Sequence, residues 1–266
     1  MVSRRRLDAE LVRRGLAASP SEACAAIDAG AVVVGGAPAT KATRLVAAGE
    51  PIVVAGPPPR FVGRGGDKLE AALAVFEVDV AGRRCLDVGA STGGFTDCLL
   101  QRGAAHVTAL DVGHGHLHER LRADERVAVV ERRNIRHVRP GELGRPFEMA
   151  VADVSFISLV VVLPALVPLL VSGADMVLLV KPQFEADRDA VARGRGVITD
   201  PSIWADAVRV VGDAAGRLGA GVLHAVPSPL RGAEGNVEVL LHARVGAPHR
   251  ISPSELAAAV VAEVPA

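Results

Sequence analysis

The sequence contains no tyrosine, one tryptophan and six phenylalanines in 266 residues. A core built from it is mostly aliphatic, and aromatic stacking of nucleobases is not expected as a main binding device. Cysteine is scarce as well. Cys24, Cys85 and Cys98 make an odd count and show no metal-like pairing, which points to reduced thiols in a cytoplasmic protein rather than a disulfide framework. Cys85 and Cys98 are expected simply to pack in the core. The chain also lacks a long apolar run. The most apolar stretch, Ile157 to Val171, is 15 residues long and contains Pro164 and Pro168, whereas a membrane-spanning helix needs roughly 20. A buried helix near a sheet is the expectation. The basic start Met1-Val2-Ser3-Arg4-Arg5-Arg6 is followed by Leu7-Asp8-Ala9-Glu10, which interrupts any apolar segment of a secretion signal.

Net charge is absent too, but the zero hides an asymmetry. Residues 1–68 carry a net charge of +4 and residues 69–266 a net charge of −4. A basic amino-terminal piece on a mildly acidic body fits an RNA-gripping module attached to an enzyme. Ordinary scatter of surface charge gives differences of the same size.

The first 55 residues read as a small α+β unit. Leu7, Leu11 and Val12 have helical spacing, with Gly15 at the end. Ser19-Pro20-Ser21-Glu22 has the form of a helix start, and that helix turns Ala23, Ala26 and Ile27 inward before Gly30. Ala31–Val34, a Gly35-Gly36 turn and Ile52–Val54 then read as short strands. Pro57-Pro58-Pro59 is a stiff spacer and sets a domain boundary at about residue 60. Beyond it, strand patterns at 84–88, 107–111, 127–131, 149–153, 176–180, 222–226 and 237–245 alternate with helical stretches. That alternation predicts an α/β fold with a doubly wound, mainly parallel, Rossmann-like sheet over residues 61–266. The last two strands, joined by a polar loop, are placed to form an antiparallel hairpin at one end.

The most informative segment is Leu86-Asp87-Val88-Gly89-Ala90-Ser91-Thr92-Gly93-Gly94-Phe95-Thr96. An apolar strand runs into small residues and paired glycines, where a backbone can approach a nucleotide-like ligand closely. Asp111 ends the next apolar stretch, 22 residues after Gly89, about where an acid reaches a ribose in strand–turn–helix nucleotide sites. A dinucleotide loop prefers Gly-x-Gly-x-x-Gly, but here Ser91 takes the second glycine position. Asp87 would meet a pyrophosphate as a like charge. It suits a cationic ligand end, such as the amino group of S-adenosylmethionine (SAM). Asp87, Gly89, Ala90, Ser91, Gly93, Gly94, Phe95 and Asp111 are therefore the expected cofactor-binding residues. A plain tight turn without a ligand is the alternative.

Several stretches together resemble a known family. The pattern of residues 6–36 with Lys41 resembles the S4 RNA-binding domain, and the body resembles FtsJ/RrmJ-type ribose 2'-O-methyltransferases. In this order, with GRGGDKL at 63–69, CLDVGASTGGFTDCLL at 85–100, VADVSFISL at 151–159, LVKPQFE at 179–185 and GNVEVLL at 235–241, the chain is similar to the TlyA family, also called hemolysin A. The resemblance covers nearly the whole chain. It implies SAM-dependent methylation of cytidine ribose 2'-hydroxyls in 16S or 23S ribosomal RNA, free or in assembled subunits. It also implies a catalytic Lys-Asp-Lys-Glu set on Lys68, Asp153, Lys181 and Glu238. The residues agree with this. Asp153 and Lys181 stand at strand carboxyl ends, where open α/β sheets put their ligands. Glu238 is expected to open the last strand. Two neighbouring lysines favour loss of a proton from one of them, while the acids oppose it. Lys181 is expected to be the base, and Lys68 to position the hydroxyl or a phosphate.

Arg4, Arg6 and Lys41 are the expected RNA contacts. Pro20 stands where the family often has a basic residue, so one such contact is in doubt. Asn134, in Arg132-Arg133-Asn134, is expected to approach the adenine. His114, His116 and His118 alternate with Gly115 and Leu117. With no fourth ligand nearby they are read as a solvated helix start, not a metal site. Arg193-Gly194-Arg195-Gly196 reads equally as a mobile substrate loop or an ordinary solvated one. Two competing classes remain. A cytolysin requires a secretion signal and a membrane-active segment. A non-catalytic RNA-binding protein would not need the glycine turn and the Lys-Asp-Lys-Glu set.

Overall fold

The computed structural model describes residues 4–17, 19–28, 30–55, 59–232 and 234–264. Pro57 and Pro58 of the proline spacer lie outside the described residues. The chain divides into two compact units, residues 1–63 and 64–266.

The first unit contains β1 (Arg4–Arg6), α1 (Leu7–Arg13), α2 (Pro20–Asp28), β2 (Val32–Val34), β3 (Ala37–Pro38), β4 (Leu45–Ala47) and β5 (Ile52–Val54). Strand β2 pairs antiparallel with β3 and β5, and β1 pairs antiparallel with β4. Leu7, Leu11, Ala23, Ile27, Val32 and Val46 fill its core. The Ser19 hydroxyl accepts from the Glu22 N–H at 3.2 Å, the capping contact that the Ser-Pro-Ser-Glu start predicts. Strands β1, β3 and β4 have no counterpart in the sequence reading. Unlike β2 and β5, they are not runs of β-branched residues, and nothing local marks them as strands.

The second unit contains α3 (Gly65–Val75), β6 (Arg84–Val88), α4 (Gly94–Gln101), β7 (His106–Leu110), α5 (Glu119–Arg122), β8 (Val127–Val130), β9 (Phe147–Ala152), α6 (Leu159–Leu166), β10 (Leu170–Val180), α7 (Pro182–Glu185), α8 (Arg188–Arg193), α9 (Pro201–Arg217), β11 (Ala220–Pro227), β12 (Val239–Val245) and α10 (Pro253–Glu263). Its sheet has the order β11-β12-β10-β9-β6-β7-β8. From β10 to β8 every pair is parallel. Strand β12 runs antiparallel to both β10 and β11. This is the doubly wound, Rossmann-like arrangement with its expected hairpin. The parallel strands are nearly continuous apolar runs because both sheet faces are covered. Val88, Ala150, Leu163, Leu178, Val211 and Leu241 share one buried cluster.

The apolar run at 157–171 does form a buried helix, α6, followed by a 3-10 turn at Val167–Leu169. Its last residues already belong to β10, which begins at Leu170 and is interrupted in register before Asp175. Asp175 then locks the β10–β12 ladder. Burial raises the pKa of its carboxyl, but hydrogen bonds from His242, Arg83 and Arg244 outweigh that and hold it well below the ordinary carboxylate value.

The topology delivers five chain positions to one edge of the sheet. Gly89, Asp111, Asp153 and Lys181 follow the carboxyl ends of parallel β6, β7, β9 and β10. Glu238 precedes β12, whose antiparallel direction brings its amino end to the same edge. The chain winds outward from β6 to β7 on one side and to β9 on the other, and open α/β sheets place their ligand crevice at such a point.

Candidate active site

Gly89 makes the turn out of β6 with φ of +84°, and a Cβ built there would lie 2.3 Å from the Asp153 carbonyl oxygen. Only glycine tolerates both conditions. Gly93, at φ +99°, has a different task. A Cβ there would meet Leu121 at 2.2 Å and Leu117 at 2.8 Å, so this glycine lets the start of α4 pack against the loop leading into α5.

Beside the Gly89 turn lies a cavity of about 510 Å³ lined by Gly89, Ser91, Asp111, Asn134, Asp153 and Phe156 among others. Asp111 is fixed by two backbone donors. Its Oδ2 accepts from Ser91 N–H at 2.8 Å and its Oδ1 from Gly113 N–H at 2.7 Å. Each carboxylate oxygen keeps a further lone pair for a hydroxyl. Asn134 Oδ1 accepts from Arg136 N–H at 3.0 Å, which leaves the side-chain NH₂ as the part of Asn134 available to a ligand.

The other five expected cofactor residues, Asp87, Ala90, Gly93, Gly94 and Phe95, are buried and do not line the cavity. Asp87 is fully buried, its Oδ2 accepts from the Thr96 hydroxyl at 2.6 Å, and its Oδ1 has no partner. Burial, with Asp153 and Asp111 nearby, pushes its carboxyl up to about 7 against the lowering effect of Thr96. Phe95 supports the site indirectly, since a Cβ on Gly65 would lie 3.3 Å from its ring. It therefore backs the first turn of α3, which carries Lys68.

The four expected catalytic residues form two ion pairs. Lys181 Nζ lies 2.5 Å from Asp153 Oδ1 and donates to Ser155 Oγ at 3.1 Å. Lys68 Nζ donates to Glu238 Oε2. Lys68, Lys181 and Glu238 are all buried, where an unpaired charge would be costly. Sheet register relates the pairs. Val180 faces Val239 in the antiparallel ladder, so the next step sets Lys181 across from Glu238. Glu238 does not open β12. It stands one residue before it, and its carbonyl accepts from Ser228 N–H, a contact outside the β10–β12 ladder.

The segment after β9 holds what the sequence reading missed. Phe156 is 93% exposed and has φ of +64°, a strained conformation for a bulky side chain. It stands between the first cavity and a second one of about 580 Å³ that includes Gln183, Phe184, Arg195 and Gly196. The Phe184 ring lies 5.9 Å from Lys181 Nζ. Arg195-Gly196 thus borders a cavity, and Asn236 holds this loop by donating to the Gly196 carbonyl at 2.9 Å. His116 also lines the first cavity, and His118 caps α5 by accepting from Arg120 N–H at 3.2 Å. Among the described residues no cluster of three His, Cys, Asp or Glu is arranged to hold a metal.

In the first unit, Arg4 and Lys41 are exposed, whereas Arg6 is engaged by Asp8 at 2.5 Å. Arg13 and Arg14 are both drawn onto the buried Glu10.

Comparison with known proteins decides the family. The FtsJ-like methyltransferase family matches residues 61–245, and the S4 domain matches residues 5–52. The chain belongs to the TlyA family of FtsJ-like methyltransferases. It is 48% identical over 261 residues to the 16S/23S rRNA (cytidine-2'-O)-methyltransferase TlyA of Mycobacterium tuberculosis, covering 98% of this chain and 97% of that protein. It is 46% identical over 248 residues to YqxC of Bacillus subtilis, named as an rRNA methyltransferase, covering 89% of this chain and 84% of that one. A solved structure of a hemolysin-named protein from Streptococcus thermophilus superposes with a TM-score of 0.80 at 38% identity, covering 98% of this chain and 96% of that one. The protein is an enzyme of this methyltransferase family.

Proposed function

We propose that the protein transfers a methyl group from SAM to the 2'-hydroxyl of a cytidine ribose in ribosomal RNA. The observation that carries the reading is the placement of two lysine–acid pairs at the sheet edge that also forms the Gly89–Asp111 cavity. The cavity fits SAM on its own terms. Its volume of about 510 Å³ lies in the range of small-molecule sites. Gly89 leaves space that a side chain would fill, and Asp111 offers ribose acceptors.

SAM, when bound, supplies a methyl group already activated on a sulfonium sulfur. The protein's task is therefore alignment and proton handling, and alignment alone is worth many orders of magnitude in rate. In this reading Asp111 and Asn134 hold the nucleoside end of the cofactor. Lys181 accepts the ribose hydroxyl proton, and Asp153 orients its amine. Lys68, ion-paired with Glu238, positions the hydroxyl or a neighbouring phosphate. The second cavity, walled by Phe184 near Lys181, is the proposed entry for the acceptor ribose. Residues 1–60 are the proposed RNA grip, with Arg4 and Lys41 as phosphate contacts and Arg6 a weaker one because Asp8 already neutralises it. Such an enzyme works beside ribosomal subunits in the cytoplasm. No helix among the described residues is long and apolar enough to cross a membrane.

The test is transfer of labelled methyl from SAM to ribosomal subunits lacking the modification, followed by mapping of the product. Label on a cytidine 2'-oxygen is expected. Tight NAD binding with no response to SAM would overturn the cofactor assignment, and label on a base would overturn the acceptor.

A further inference from the structure

Lys181 carries a contact that lies outside the Lys-Asp-Lys-Glu set and its charge pairing. Its Nζ is held by Asp153 Oδ1 at 2.5 Å and also by Ser155 Oγ at 3.1 Å. The two acceptors are two residues apart on the segment following β9. That segment is tied down at both ends. At its start, Asp153 N–H donates to the Val88 carbonyl at 3.0 Å. At its end, Glu185 on α7 accepts from Ser158 Oγ at 2.5 Å and from Leu159 N–H at 2.7 Å. Ser155 is thus presented to the amine by a fixed stretch of backbone, although its own side chain is exposed at the cavity wall.

A neutral lysine amine has two N–H bonds and one lone pair. Two acceptors occupy both N–H bonds and leave the lone pair a single direction. With Asp153 alone, the amine turns about that contact and the lone pair spreads over several directions. We propose that Ser155 is a positioning residue that aims the Lys181 lone pair at the incoming ribose hydroxyl. The proposal rests on the reading that Lys181 takes the hydroxyl proton. When it does, the third N–H of the resulting ammonium lies where the lone pair was, and the Asp153 and Ser155 contacts need not rearrange.

Two opposite effects follow when the hydroxyl is removed. Aim is lost, which slows transfer at every pH. The ammonium also loses an acceptor, which makes the neutral amine easier to reach and moves the acid limb of the rate profile to lower pH. A serine that only supported the local fold would slow the reaction without moving that limb. The charged groups on the elements joined here are Asp153, paired with the amine, Lys68 paired with Glu238 at the facing end of β12, and Glu185 of α7, which holds Ser158 and Leu159. All are retained in Ser155 variants.

The experiment is single-turnover methyl transfer to unmodified ribosomal subunits across neutral and alkaline pH, using the full chain and its Ser155→Ala, Ser155→Thr and Lys181→Ala variants. SAM affinity of each is measured by calorimetry, which also reports an intact cavity. For Ser155→Ala the plateau rate is expected to fall about three- to tenfold, the value of one ordinary hydrogen bond. Its acid limb should move to lower pH, and SAM affinity should change less than about twofold. Ser155→Thr keeps a hydroxyl and should restore both rate and limb. An unmoved limb in Ser155→Ala, or equal losses in the alanine and threonine variants, overturns the positioning role while leaving Lys181 as base. Near-normal transfer by Lys181→Ala overturns the base reading, and the role of Ser155 with it.

Discussion

Gly89→Ala tests how the cavity floor is made. The substitution places a methyl group at φ +84°, 2.3 Å from the Asp153 carbonyl oxygen and 3.0 Å from its carbon. Holding an L-residue in the left-handed region costs about 1–2 kcal/mol. Relieving an overlap with backbone, which cannot swing aside as a side-chain tip can, costs about 1–3 kcal/mol more. The sum is roughly 2–5 kcal/mol, or about 5–15 °C in midpoint for a unit of this size. The same displacement moves Asp153, and with it the acceptor of Lys181, so methyl transfer should fall further than SAM binding. Gly115→Ala is the control. Gly115 has φ of +71° with nothing within 4 Å of its Cβ position, so it carries the backbone cost alone. Thermal unfolding of both variants, with SAM titration by calorimetry, separates the contributions. Equal midpoints for the two variants, with normal SAM binding by Gly89→Ala, would refute the argument that close approach to Asp153 shapes the site.

Lys181→Ala should fold and bind SAM while transferring methyl about a hundredfold to ten-thousandfold more slowly. Lys181→Arg should not restore the rate, because guanidinium stays protonated and has a different shape, and near-normal transfer by the arginine variant would leave only an electrostatic role. Deleting residues 1–60 should preserve SAM binding and abolish methylation of ribosomal subunits, with a steep salt dependence in the full chain; full-rate methylation by the truncated body would assign the module another task. Asp87 gives a pH prediction. Its carboxyl rises from the ordinary 3.8 to about 7 on burial, so the native state holds the proton more tightly, and stability falls as pH rises from about 4 to 7. The cost levels off near about 4 kcal/mol above that. Asp87→Asn should therefore be the more stable protein at pH 8 and nearly flat over that window, and parallel denaturation curves for the two proteins across the window would contradict it.

The parts of this molecule that were legible in the sequence are those encoded by short-range order. A strand followed by a small-residue turn and a helix is specified within a dozen residues, so Gly89 and the β6–α4 unit could be placed directly. The alternation of apolar strands and helices then set the sheet, and Asp111, Asp153 and Lys181 followed as residues at strand ends. Glu238 was legible in its motif, but its position just before β12 was not. That depends on where the antiparallel ladder stops. Asp87 shows the opposite difficulty. Its acid character was read as facing the ligand, yet it is sealed beneath the turn and bound to Thr96. Sequence spacing places a residue on a strand, but the packing of α4 decides which side of the loop its side chain reaches.

The segment Asp153–Leu159 was legible as a motif but not in its geometry, and it does most to complete the site. Phe156 sits at positive φ, a state its residue type predicts against, and Ser155 is an ordinary polar residue in any pattern analysis. Both are fixed by contacts made over 26 or 27 residues of chain separation, from Lys181 to Ser155 and from Glu185 to Ser158. Lys181 precedes and Glu185 ends one short turn, α7, so a single helical turn laces the loop after β9 to the loop after β10. A strained backbone persists only where its surroundings over-determine it, and these two tethers supply that constraint. The strain at Phe156 and the aim of Lys181 therefore have one cause, and loosening the Glu185 tether should disturb both.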